Sequence, residues 1–135
     1  MLSSCLVLSE LTQQPSCDQW SVDVLPAFHG TSMQTVVQEV ENLEPLVRLQ
    51  QLWLGRNRIP EVGRGLQALT GLRQLSLQAN RLVSISGLET LTCLEELYLS
   101  QNGIRQVSGL ESLSSLKVLD LAYNPIVKVC IASQT

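Results

Sequence analysis

Neither lysine nor arginine occurs in the first 47 of the 135 residues. A secretory signal peptide opens on positive charge and a mitochondrial presequence carries arginines, so neither is expected at this N-terminus. No apolar run approaches the ~18 residues a membrane-spanning helix needs, which argues against a membrane protein. Charged residues make up 16% of the chain and the net charge is −3, the wrong sign for a nucleic-acid surface. The cysteines, at 5, 17, 93 and 130, are too far apart to form the paired half-sites of a zinc centre. The single histidine, His29, has no triad partner in a recognisable motif, and the glycines at 63, 65 and 71 fit no phosphate-binding loop. Glu95 and Glu96 are adjacent and therefore point different ways, so they are not a catalytic pair. No cofactor, metal or enzymatic activity is expected. There is also no Asn-x-Ser/Thr acceptor, so the cysteines, Cys93 among them, are expected as free packing or surface thiols in a reducing compartment, cytosol or nucleus.

Leucine is abundant. There are 26, and 21 of them fall in residues 43–121. A disordered chain is poor in such residues, so this part buries a core. The leucines are ordered in rows. The first reads Leu49-x-x-Leu52-x-Leu54-x-x-Asn57-x-Ile59-x-x-Val62. The next three start at Leu72, Leu94 and Leu116 and place asparagines at Asn80, Asn102 and Asn124, with spacings of 23, 22 and 22. Within each row the L-x-L step of two predicts a strand. Between rows, steps of three such as Ile104, Val107, Leu110, Leu113 and Leu116 predict 3₁₀ turns or short helices with one face inward. A single amphipathic helix of period 3.6 fits neither. This alternation is the leucine-rich repeat. It predicts an α/β solenoid with short parallel strands on a concave face and helical turns on the convex face. Each asparagine is expected to satisfy backbone groups where the chain leaves the strand, giving a stacked ladder.

The repeats span 37–129, with a half repeat over 37–48 and full repeats starting at 49, 72, 94 and 116. Residues 1–36 have no sustained period and are expected to be an irregular, loosely ordered segment or partial cap. Leu2–Leu11 suggests a short helix ended by Gln13–Ser16, with Trp20, Val22, Val24 and Leu25 as packing candidates. Residues 130–135 form a tail without the pattern. Solenoids use caps with a polar outer face. None is evident at either end, so a truncated form, a fragment or a chain relying on a partner is expected, with self-association through the strands near Leu52 and Leu119.

Period two also fixes what faces outward. If Leu52 and Leu54 point in, then Gln51, Trp53 and Gly55 point out. The same holds for Gln74, Ser76 and Gln78, for Glu96, Tyr98 and Ser100, and for Val118, Asp120 and Ala122. The central column is Trp53, Ser76, Tyr98 and Asp120, with Glu96 beside it. Two of the five aromatics lie here. Outward Trp and Tyr are typical of interface hot spots, so this column is the expected partner-binding site. The competing account is that the aromatics only shield the sheet. Arg56, Arg58 and Arg81 flank the asparagines and form a small positive ridge, expected to be a solvated edge.

The stretches LWLGRNRI (52–59), LSLQANRL (75–82), GLETLTCLEELYLSQNGI (87–104) and LDLAYNPI (119–126) resemble the 22-residue repeat subclass of the protein phosphatase-1 regulatory subunit 7 family. The similarity covers 37–129. It implies a non-catalytic scaffold whose concave face holds the phosphatase-1 catalytic subunit, with Trp53 and Asp120 at aromatic and acidic contact positions and Ser76, Glu96 and Tyr98 between or beside them. That family has about a dozen repeats and a C-terminal cap, where this chain has four and a half. Axonemal dynein light chains share the subclass, so a cytoskeletal component is the alternative.

Overall fold

The computed structural model describes residues 19–21, 40 and 43–130. Several expectations therefore lie outside the described residues: the Leu2–Leu11 helix, the Gln13–Ser16 break, His29, Val37 and the tail beyond Cys130. Five strands form one parallel sheet: β1 (Gln19–Ser21), β2 (Gln51–Trp53), β3 (Gln74–Ser76), β4 (Glu96–Tyr98) and β6 (Val118–Asp120). A second, two-stranded parallel pair joins β5 (Gln106–Val107) to β7 (Lys128–Val129) on the following segments of repeats three and four.

The step of two places Leu52, Leu75 and Leu97 at identical register positions, each at most 1% exposed. The step of three does what its spacing implies. Leu69 donates its N–H to Leu66 O and Leu72 donates to Leu69 O. The same i to i+3 bonds recur at Leu88–Leu91–Leu94 and Leu110–Leu113–Leu116. Each leucine thus closes one 3₁₀-type turn and opens the next, so all of them stay on the inner side. The result is one core from Val40 to Leu113, with Leu110, Leu116, Leu121 and Ile126 half-buried at its end.

One edge differs from the sequence expectation. The Leu52 strand is not the border of the sheet, because β1 pairs with it, Trp20 opposite Leu52. The separation is 32 residues (51 − 19), against 22 or 23 elsewhere, so a search for the repeat period passes over it. The Leu119 strand is a border among the described residues, and Leu119 is 37% exposed where Leu97 is fully buried.

Glycine at the start of a convex turn meets a steric requirement. Gly109 has φ +76°, and a Cβ there would lie 2.6 Å from Ile85 O of the preceding repeat. Its N–H donates to Glu111 Oε1, as that of Gly87 does to Glu89 Oε1. Gly109→Ala is expected to cost about 2 kcal/mol or more, combining the left-handed penalty for a residue with a Cβ and the clash. The urea midpoint checks this, and an unchanged midpoint would contradict the stacking distance between repeats two and three.

Candidate functional site: the concave face

Parallel pairing without slippage brings the outward residues into files. Trp53 is opposite Ser76, Ser76 opposite Tyr98, and Tyr98 opposite Asp120. The four side chains proposed for partner contact therefore form one continuous row across the sheet. Strands in such a sheet lie about 4.8 Å apart, which sets the spacing of the row. Glu96 is one register position before Tyr98, on the same face.

The members differ in accessibility. Trp53, Tyr98, Glu96 and Asp120 are half-buried. Ser76 is only 6% exposed, because its small side chain is flanked in register by an indole and a phenol. It acts as a spacer beneath two larger neighbours more than as a contact. Trp53 Nε1 is buried without a hydrogen-bond partner among the described residues, so the exposed part of the indole does not include its N–H. What it offers a partner is apolar area. The Tyr98 hydroxyl donates to Glu96 Oε2 at 2.7 Å. That bond raises the Tyr98 pKa above the ordinary phenol value, burial and the negative charges of Glu96 and Asp120 adding to it. Tyr98 is therefore held as a neutral donor pinned to Glu96. Asp120 Oδ1 accepts from the Ala122 N–H at 3.0 Å, which fixes the carboxylate at the strand's end.

No lysine or arginine occupies an outward position of β2, β3, β4 or β6. Every formal charge on this face is negative, from Glu96 and Asp120. The arginines lie elsewhere. Arg56 is exposed on the loop after the strand, and its left-handed φ of +55° is shared by Ala79 (+55°), Gln101 (+57°) and Tyr123 (+55°), each directly before a ladder asparagine. This file was not singled out from the sequence, although its fixed place in each row was available. It puts Tyr123 at 84% exposure on the rim next to Asp120's strand.

The asparagines lie behind this rim. Asn80 Nδ2 donates to Leu77 O in its own repeat and to Leu54 O in the one before, and its Oδ1 accepts from the Ile59 N–H. Asn102 and Asn124 repeat the pattern one and two repeats further on. Asn57 donates to Leu54 O and Gly55 O. Each amide ties the exit of one strand to the next, which keeps the concave row flat and in register.

A parallel sheet of 22-residue units, 3₁₀-type turns behind it and an asparagine file along one rim define a leucine-rich-repeat solenoid. Residues 70–112 and 94–131 match the family model described as Leucine Rich repeats (2 copies), and over these residues the chain is made of leucine-rich repeats. Among solved structures the chain resembles an internalin C2 from Listeria monocytogenes, at 32% identity and a TM-score of 0.63 over 71% of this chain and 42% of that one. A leucine-rich-repeat protein from Leptospira interrogans gives 26% identity and 0.62, over 69% and 27%. A Listeria monocytogenes internalin at 24% identity, with a TM-score of 0.58 over 73% and 33%, shares the fold. The chain thus spans less than half the length of these proteins. No curated protein matches it in sequence. These likenesses speak to the repeat class and to no particular partner.

Proposed function

We propose that this chain is a non-catalytic protein-binding module that engages its partner through the concave row. The observation that carries the reading is the in-register file Trp53, Ser76, Tyr98, Asp120 on a face without a single basic residue. Leucine-rich repeats present extended concave surfaces for binding. Here the surface combines aromatic area with two carboxylates, so the complementary partner segment carries an apolar anchor and a basic group. The repeat phrases, similar to those of the phosphatase-1 regulatory subunit, support the phosphatase-1 catalytic subunit as that partner, met in a reducing cytosol or nucleus.

The test is titration of variants against that catalytic subunit, with circular dichroism to verify folding. Trp53→Ala is expected to weaken binding by about 2 kcal/mol, roughly thirtyfold, as for a buried interface aromatic. Asp120→Ala is expected to weaken it by less, with an effect that shrinks as salt is added. Arg64→Ala, on the loop between repeats, should leave affinity unchanged. Folded concave variants that bind like the parent would refute the site. Capture of dynein heavy chain or tubulin in place of the phosphatase would favour the cytoskeletal alternative.

A further inference from the structure

The chain has 9 basic residues, all at or after position 48. Two of them are paired. Arg73 and Lys117 stand directly before β3 and β6, on either side of Glu95 before β4, and the three form one charge file. Arg73 Nη1 is 3.2 Å from Glu95 Oε1, and Lys117 Nζ is 2.8 Å from Glu95 Oε2. The other rim of the sheet, where the chain leaves the strands, is different. From the residue before each ladder asparagine to the fourth residue after it, the four repeats carry Arg56, Arg58, Arg81, Arg105 and Lys128, against Glu61 as the one acidic side chain. All five cations are exposed, and none has an ion-pair partner among the described residues.

Stacking of the exit loops joins these cations into one ridge. The Ile59, Leu82 and Ile104 N–H groups each donate to the ladder asparagine of the following repeat. The Arg81 N–H donates to Ile59 O, so Arg58 and Arg81 take equivalent places in adjacent loops. Val127 and Lys128 both donate their N–H groups to Arg105 O, which sets the last two cations side by side. Adjacent loops follow the strand spacing of about 4.8 Å. Like charges at that spacing repel, with no local anion to offset them, so the ridge attracts an external one. Apolar side chains lie among the cations. Val83 and Val127 hold the same position in repeats two and four that Arg105 holds in repeat three, and they are 65% and 83% exposed.

The geometry points to a second docking surface, separate from the concave row: the exit rim binds an acidic peptide segment of a partner protein, its carboxylates on the five cations and its apolar side chains on Val83 and Val127. The occupant follows from charge and shape. A nucleic-acid duplex or a lipid surface is broad, and would also meet Glu61 and the carboxylates of the neighbouring concave face. A single peptide strand is narrow enough to follow the cations alone. The concave row, with Glu96 and Asp120, repels such a segment and confines it to the rim.

Fluorescence anisotropy of the full chain with a labelled octapeptide of alternating glutamate and leucine tests this. Saturable binding that weakens as salt is added is expected. Arg58→Glu combined with Arg81→Glu should weaken it about tenfold or more, and Val83→Ser about threefold. Arg58→Gln with Arg81→Gln removes the charges without reversing them and should still weaken binding about threefold or more, which keeps the test decisive if the reversed pair does not fold. Trp53→Ala, on the concave row, should leave the peptide affinity unchanged, so this site and the concave site stand or fall separately. Circular dichroism verifies folding of each variant. Folded charge variants that bind like the parent, or an octapeptide of lysine and leucine bound as tightly, would overturn the inference. So would tighter binding of oligothymidine or of phosphatidylserine vesicles than of the acidic peptide, which would assign the rim to a different polyanion.

Discussion

Leu77→Ala is expected to lower the unfolding free energy by about 2–5 kcal/mol. Leu77 is fully buried in the middle of the repeat stack, with occupied repeats on both sides. Its backbone is held from three directions. Its N–H donates to Tyr98 O, and its carbonyl accepts from the side chains of both Asn80 and Asn102. The chain therefore cannot shift to fill the space a missing isobutyl group leaves, and the cost should fall in the upper part of that range. The equivalent leucine of the last repeat, Leu121, is half-buried, so Leu121→Ala should cost clearly less. The urea midpoint measures both, with the slope of the transition checked for constancy. Equal losses at the two positions would mean that the repeats do not differ in burial as described.

Asn102→Ala is expected to cost about 3 kcal/mol, and the hydrogen bonds say which group is responsible. Asn102 Nδ2 donates to Leu77 O and Leu99 O, and Oδ1 accepts from the Leu82 N–H. After truncation Leu77 O still accepts from Asn80, and Leu99 O from Asn124. The Leu82 N–H loses its acceptor, beside a side chain only 2% exposed. An orphaned buried donor costs about 1–3 kcal/mol, and the lost amide bonds add to it. Amide exchange at Leu82 should accelerate more than at Leu77 or Leu99. Uniform acceleration across the repeat would argue for general loosening and against a specific orphan.

How much of this was legible beforehand follows from how often each signal is repeated. The inward leucines, the ladder and the outward column each recur in four rows, and four copies of one spacing leave the register no freedom. Trp20 opposite Leu52 had no such support. Its strand occurs once, at a spacing of 32, and no asparagine follows it at the ladder position. The pair Gln106–Val107 with Lys128–Val129 was hidden for another reason: apolar steps of three are also compatible with a turn that ends in a short extended stretch. Side-chain detail within the concave row was less legible still. The burial of Ser76 depends on neighbours across two strand pairs, and the Tyr98–Glu96 bond depends on two rotamers, which no one-dimensional pattern encodes. The charge file from Arg73 to Lys117 is visible in the sequence only once the 22-residue alignment is taken as a spatial one. Its effect on Glu95 is the expected sign: the Lys117 bond and charge, with Arg73 behind them, hold its carboxyl below the usual range. The folded state is therefore favoured above the ordinary carboxylate pKa, and that contribution fades as the pH falls through the lowered value.

The graded burial along the stack bears on how the protein opens. Every strand contact among the described residues joins one unit to the next along the chain, so the domain behaves as a short one-dimensional lattice of coupled units. Loss of order at a terminal unit then requires breaking one boundary, while loss at a central unit requires two. With Leu119 partly exposed and Leu52, Leu75 and Leu97 at most 1% exposed, the fourth is, of the four full repeats, the one that frays at the least cost. Asp120 is carried by that unit, whereas Ser76 and Tyr98 belong to the centre. A ligand that needs the whole row must therefore first close the fraying unit, and part of its intrinsic affinity is absorbed in doing so. Any neighbour that keeps β6 paired would tighten binding on the concave face without touching the ligand, a thermodynamic link between the end of the solenoid and its inner surface.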